Sequence, residues 1–162
     1  MPRFRAKRRV NHPAGDMFDL VSDMDSYPKF VPLCSDMKIR GRSQTDEGVS
    51  VAIARMTVSY KMFHEHFTTR VTMNRPEFWI TVDYLDGPLK VLSNRWSFKP
   101  LGEHECEVEF YIDYEFKSRM LSTLMGAVFD AAFRRFATAF EKRADVVYGK
   151  RRNGSPGAVA YE

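Results

Sequence analysis

One stretch, Ser118 to Tyr148, carries helical periodicity over many turns, and the rest of the chain must be arranged to cover it. It contains no proline, and Gly149 follows it as a stop signal. At 1.5 Å per residue such a helix runs for roughly 45 Å, long for a small domain. Met125, Phe129, Ala132, Phe136 and Phe140 recur at spacings of three and four and form one apolar stripe. Asp130, Arg134, Thr138, Glu141 and Asp145 recur on the opposite side, which is expected to face water. A lone helix cannot bury a row of phenylalanine rings.

The cover is written as strands. Arg3, Arg5, Lys7 and Arg9 alternate with Phe4, Ala6, Arg8 and Val10, which predicts a first strand with one basic face. That face reads as a solvated strand surface or as a docking patch for phosphate. Pro13 then opens a short helix through Met17, Phe18, Leu20 and Val21. From Met37 to Phe116 the text is hairpins, with turns at Asp46-Glu47-Gly48, Ser59-Tyr60, Asn74-Arg75-Pro76-Glu77, Asp86-Gly87-Pro88 and Lys99 to His104. The last strand is the clearest: Cys106, Val108, Phe110, Ile112, Tyr114 and Phe116 face inward. Glu105, Glu107, Glu109, Asp113 and Glu115 face outward and suit basic cross-strand partners.

The expected fold is therefore α+β: a seven-stranded antiparallel sheet, two short helices after the first strand, and one long C-terminal helix. A single domain occupies residues 1–149, and the Gly-Ser-Pro-Gly-bearing tail, 150–162, is expected to be disordered. Seven strands at roughly 4.8 Å per step make a sheet about 28 Å wide, whereas a helix is about 10–12 Å across. One helix cannot fill that concavity. Either the sheet curls fully round it, or an apolar cavity remains.

Between the short helix and the hairpins, residues 23–34 read Asp-Met-Asp-Ser-Tyr-Pro-Lys-Phe-Val-Pro-Leu-Cys. Two prolines exclude a long helix, yet Tyr27, Phe30, Val31 and Leu33 are too apolar for an idle loop. This segment is a short helix and turn folded on the core, or a flap over the mouth of a pocket.

Composition narrows the function classes. The start, Met-Pro-Arg-Phe-Arg-Ala-Lys-Arg-Arg-Val, has no apolar core of a signal peptide, and no run reaches the roughly 20 apolar residues of a membrane span. A soluble, cytoplasmic protein is expected. A net charge of +4 permits an anionic partner without requiring one. Two cysteines, Cys34 and Cys106, make no disulfide framework; they read as reduced thiols, with a single bridge the alternative. His64-Glu65-His66 is the most metal-like string, but it offers only two imidazoles on a wet face, so no metal is expected. No phosphate-cradling glycine loop or serine nucleophile motif is present.

Several strings together resemble a known family. They are Asp25-Ser26-Tyr27-Pro28-Lys29-Phe30-Val31-Pro32-Leu33-Cys34, Phe67-Thr68-Thr69-Arg70-Val71, Gly87-Pro88-Leu89-Lys90, Trp96-Ser97-Phe98, Phe140-Glu141-Lys142-Arg143 and Tyr148-Gly149. With the order of elements, they resemble the helix-grip fold of the START-like superfamily, which includes polyketide cyclases and plant allergens of the pathogenesis-related type. Within it the chain is similar to the coenzyme Q-binding START-domain family, which also includes the bacterial ribosome-association toxin. The likeness covers residues 3 to 149.

That resemblance implies a non-catalytic carrier or chaperone that binds ubiquinone or a related polyprenyl lipid between sheet and helix and supports respiration and ubiquinone biosynthesis. The toxin branch implies instead binding to the large ribosomal subunit and a block on subunit joining. A cyclase-like enzyme is the third reading, and it requires a polar, titratable pocket. The absence of a mitochondrial transit peptide points to a bacterial cytoplasm, with peripheral contact at the inner membrane. No DNA partner and no catalytic cofactor are expected.

If the ligand is a lipid, its pocket wall is expected to comprise Phe63, Phe67, Leu92, Trp96, Phe110 and Ile112 of the sheet with Met125, Phe129, Ala132 and Phe136 of the helix. Phe30, Val31 and Leu33 would be the lid. Four polar residues, Arg55, Thr57, Thr69 and Asn94, fall on the expected dry face. They either sit at wet strand ends, or one or two of them, with Arg55, Thr69 and Asn94 the candidates, contact the ligand headgroup.

Overall fold

The computed structural model describes residues 3–149 and the backbone of a short strand at Val159–Ala160. Strand β1 (Arg3–Val10) leads into helix α1 (Ala14–Ser22) and a 3-10 turn (Met24–Lys29). Strands β2 (Cys34–Asp46), β3 (Val49–Tyr60), β4 (Phe63–Asn74), β5 (Trp79–Asp86), β6 (Leu89–Pro100) and β7 (Cys106–Phe116) follow, then helix α2 (Arg119–Tyr148) and strand β8 (Val159–Ala160). All pair antiparallel in the order β2-β3-β4-β5-β6-β7-β1-β8.

The seven long strands and the C-terminal helix form the expected helix-grip arrangement. The eighth strand is an addition: it sets Lys7 opposite Ala160 and Arg8 opposite Val159 on the free edge of β1. It falls in the stretch expected to be disordered, the rest of which lies outside the described residues.

Alternation in β7 is complete: every second residue from Cys106 to Phe116 is buried. Its acidic outer row meets the basic row of β1, which runs alongside it. Arg3 pairs with Asp113 (3.8 Å), Arg5 with Glu109 (3.5 Å) and Arg9 with Glu105 (3.2 Å). Each exposed pair contributes little stability, about 0–1 kcal/mol. Their joint effect is to match the basic face of β1 with acid.

At the other edge, β2 is irregular. Its register against β3 shifts between Cys34 and Asp36 and again between Arg40 and Ser43, around Gly41 at φ 56°. Bulges bend and twist a strand, and here they help turn the sheet edge.

Helix α2 is capped where the sequence predicts. The Ser118 hydroxyl accepts from the Leu121 N–H (3.1 Å), and Gly149 closes it at φ 87°. Its rings press on one side of the sheet: Phe129 on Phe116 (5.0 Å between centroids), Phe133 on Tyr114 (5.0 Å), Phe136 on Phe110 (5.6 Å) and Phe140 on Trp96 (4.9 Å).

The polar side of α2 does not face water throughout. Glu141 pairs with Arg8, and Asp145 lies 2.7 Å from Nε2 of His12, which is 1% exposed. Here the expectation is corrected, because β1 curls round the last turns of the helix and places Arg8 against it. A guanidinium on an otherwise apolar strand face requires a carboxylate, and Glu141 supplies one.

Candidate ligand-binding cavity

Because α2 leans on β6 and β7, and only Phe129 reaches across to Phe63 and Phe67 at one end of β4 (5.9 Å each), the concave faces of β3, β5 and the rest of β4 are left without rings of the helix pressed against them. The side chains there are small or slender: Ala54, Thr69, Val71 and Val82. The gap is a cavity that offers about 130 Å³ to the centre of a water-sized sphere, far more than one water needs. Val21, Met24, Tyr27, Pro32 and Leu33 wall it on the side of α1 and the 3-10 turn. Met37, Met56, Val58 and Phe67 wall it from β2 to β4, and Ile80, Leu89, Leu92, Trp96 and Ile112 from β5 to β7. Phe129, Ala132, Phe133, Phe136 and Phe140 of α2 complete the wall.

The lining has no Asp, Glu, Lys, Arg or His. Its polar groups are three. The Tyr27 hydroxyl donates to the Val21 carbonyl (2.5 Å), and burial, reinforced by Cys34 and Asp23, raises its pKa above the ordinary tyrosine value. Asn94 donates its amide to the Tyr111 carbonyl (2.8 Å), which leaves its side-chain carbonyl as an acceptor. Thr69 is buried in the wall, and its hydroxyl makes no hydrogen bond among the described residues. The cavity thus presents a largely apolar volume, one committed hydroxyl, one pinned amide and one hydroxyl open to a partner.

Of the residues expected in the wall, Phe67, Leu92, Trp96, Ile112, Phe129, Ala132 and Phe136 line the cavity, as do Leu33, Thr69 and Asn94. Phe63, Phe110 and Met125 do not. Phe110 is buried against Trp96 (4.7 Å) and Phe136, Phe63 packs its ring on Phe129 (5.9 Å), and Met125 is buried below the first turns of α2. They lie where helix and sheet touch, so no space remains beside them.

The lid divides in the same way. Met24, Tyr27, Pro32 and Leu33 line the cavity. Phe30 instead packs edge-on against Phe140 (4.9 Å) beneath the Arg143 guanidinium, and Val31 is buried, its N–H bonded to the Tyr27 carbonyl (2.9 Å). Leu33 adopts φ 69°, a costly conformation for a leucine, while its carbonyl accepts from the Ser59 N–H (3.0 Å). That bond ties the segment to β3.

Arg55 requires correction. Strand β3 is apolar on both faces, and the face turned inward is that of Ala52, Ala54 and Met56. Arg55 projects outward into a surface depression shared with Arg40, Glu65, His66 and Asp86. Thr57 is on the same outer face, with its hydroxyl 2.9 Å from Nδ1 of His66. His64 Nδ1 meets the Ser59 hydroxyl at the same distance, so both imidazoles of the metal-like string have hydroxyl partners. Among the described residues no group of three or more His, Cys, Asp or Glu is placed to hold a metal. Cys34 and Cys106 are free thiols, and burial pushes them up to about 11 and about 12.

Sequence reasoning missed Tyr27, Phe133 and Phe140 as wall residues. Phe140 belongs to the apolar stripe itself, and Phe133 sits one turn from Phe129 and Phe136, so a wider stripe on the helix face would have included it.

A model of the family described as polyketide cyclase/dehydrase and lipid transport matches residues 10–141. The chain belongs to this family. Among its START-like relatives, the ribosome association toxin RatA of Escherichia coli is 32% identical over 153 residues, covering 93% of this chain and 92% of the toxin. The mitochondrial coenzyme Q-binding protein of Drosophila melanogaster is 31% identical over 157 residues, covering 94% of this chain and 60% of that longer one. An 18 kDa protein of Caulobacter crescentus, solved in solution, is 35% identical with a TM-score of 0.74, over 93% of this chain and all of that one. A Streptomyces aromatase/cyclase superposes with a TM-score of 0.77 over 95% and 99% of the two chains at 15% identity, which shows a shared fold.

Proposed function

We propose that this START-like protein binds ubiquinone or a related polyprenyl lipid in the cavity between β3–β7 and α2, as a carrier or chaperone rather than a catalyst. The observation that carries the reading is the lining: a largely apolar volume whose uncommitted polar groups are the Thr69 hydroxyl and the side-chain carbonyl of Asn94. A quinone ring offers carbonyl acceptors to a hydroxyl such as Thr69, and its tail needs only apolar wall. Each methylene withdrawn from water contributes about 0.8 kcal/mol, so an isoprenoid tail supports tight binding without a charged anchor. The similarity to a protein named for coenzyme Q binding supports the same ligand class. A cytoplasmic protein with peripheral contact at a membrane fits that role. The test is to extract purified protein with organic solvent, identify what is released by mass spectrometry, and measure uptake of added ubiquinone. A released or acquired prenyl quinone is expected; neither release nor uptake would refute the reading.

A second reading, ribosome association, is favoured by a specific surface. Lys38, Arg40, Arg55 and Arg70 share the outer face of β2, β3 and β4, with Lys38 directly opposite Arg55. None of the four makes an ion pair among the described residues, although Asp83 sits opposite Arg70 and Glu65 and Asp86 border the patch. A sheet face that gathers four cations suits a phosphate backbone. Sucrose-gradient profiles after overexpression test it: accumulation of free subunits is expected, and an unchanged profile argues against it.

A further inference from the structure

The two ends of the sheet differ in chemistry. At one end lie the Lys61-Met62 turn between β3 and β4, the Gly87-Pro88 turn between β5 and β6, and the passage from β7 through Lys117 into α2. Lys117 N–H donates to the Pro88 carbonyl (3.1 Å), and Phe63, next to Met62, seats its ring on Phe129 of α2, so these segments form one surface. At the other end, Asp46-Glu47, Glu77 and Glu103 occupy the turns, and Asp16 and Asp19 the adjoining helix α1, where Asp19 is neutralised by Arg75 (2.9 Å).

The first end also carries apolar side chains that nothing covers. Met62 is 97% exposed, Met120 71% and Leu124 65%. Met120 and Leu124 stand one turn apart on the same side of α2. Around them Lys61, Lys117 and Arg119 are exposed and make no ion pair among the described residues, while Lys90 is paired with Glu115 (3.7 Å). Asp86, Glu65 and Asp36 are acids at this end that make no ion pair among the described residues. The cavity reaches the same end, because Leu33 and Pro32 line it while partly exposed, and Leu33 is bonded to Ser59 of the β3–β4 hairpin.

We propose that this end docks on an anionic lipid bilayer, with Met62, Met120 and Leu124 entering the headgroup layer and Lys61, Lys117 and Arg119 set over its phosphates. The inference rests on the reading of the cavity as a site for a polyprenyl lipid, since a ligand of that kind resides in a bilayer and exchanges there. Cations alone would suit RNA equally well, but three exposed apolar tips among them suit a surface with a hydrocarbon layer beneath the phosphates. The acidic opposite end orients the molecule, since it is repelled by the same membrane.

The experiment is flotation of the full chain with phosphatidylcholine vesicles, with and without phosphatidylglycerol. Binding to the anionic vesicles, weakened by added salt and absent from the neutral ones, is expected. Met62→Ser with Leu124→Ser, and separately Lys117→Glu with Arg119→Glu, should each lower the bound fraction about tenfold or more. All four side chains are exposed, so thermal melting should stay unchanged, and uptake of a short-tailed, water-soluble ubiquinone analogue should stay intact. Absence of flotation, or flotation indifferent to both variants, overturns the docking surface while leaving the cavity assignment standing. Flotation with the expected dependence, but no quinone uptake by the parent protein, upholds the surface and removes the ligand assignment. Loss of ribosome co-sedimentation in these variants with flotation unchanged overturns the proposal in favour of RNA.

Discussion

Over β6 and β7 the concave face of the sheet is closed by aromatic rings of α2; over β3, β5 and most of β4, where Phe129 alone reaches Phe63 and Phe67, it is not. On the closed side Phe129, Phe133, Phe136 and Phe140 meet Phe116, Tyr114, Phe110 and Trp96 at 4.9–5.6 Å. On the open side Ala54, Thr69, Val71 and Val82 border empty space. The two regions share a sheet, a helix and a hydrophobic pattern, yet one maximises contact and the other withholds it. Stability and ligand capacity are therefore separable, and substitutions should sort by region.

The largest effect is expected on the closed side. Phe140→Ala removes a fully buried ring packed on Trp96, Tyr27 and Phe30, and should lower the unfolding free energy by about 4 kcal/mol in urea titrations. Next is the clasp that holds α2 to β1. Glu141→Ala leaves the buried Arg8 without this carboxylate and should cost about 3 kcal/mol by the same measurement. On the open side the balance reverses. Ala54→Phe projects a ring into the cavity and should weaken uptake of a prenyl quinone about a hundredfold, equivalent to losing three or four methylene burials, while the urea midpoint moves little. Thr69→Val should weaken the same uptake only about fivefold, the worth of one hydrogen bond, without altering the fold. A closed-side change that blocks uptake at full stability, or an open-side change that unfolds the protein, would break the contrast.

A smaller effect is expected at alkaline pH. Cys34 and Cys106 are held neutral by burial, with pKa values raised from about 9 to about 11 and about 12. Groups raised in this sense favour the folded state below their unfolded value and withdraw that support as pH rises through the folded one. Stability to urea should therefore hold through neutral pH and decline above about pH 9, and Cys106→Ala should soften the decline.

Periodicity made most of the fold legible. The bounds of α2, the alternation in β7 and the basic row of β1 each follow from a repeat that only one secondary structure satisfies. The cavity wall was harder to read, because a sequence shows which face of a strand is apolar but not which strands the helix leans on. Phe110 and Phe67 have the same signature, yet one is packed in and the other borders the void. Arg55 was misplaced because β3 is apolar on both faces, so its parity could not be chosen. Arg8 did carry a signal: a lone cation among Phe4, Ala6 and Val10 implies a carboxylate that leaves the water, and Glu141 is that residue.

Trp96 gives the most direct test of the central claim, that the open half of the concave face holds a prenyl quinone. It lines the cavity, whereas Trp79 lies on the outer face with its indole N–H donating to Glu77 (3.1 Å). With Trp79→Phe, fluorescence reports from Trp96 alone. Titration of this delipidated variant with ubiquinone should give saturable quenching that ends at one ligand per chain and is lost when Ala54→Phe is added. Quenching no greater than that of free tryptophan, or unaffected by Ala54→Phe, would contradict the account.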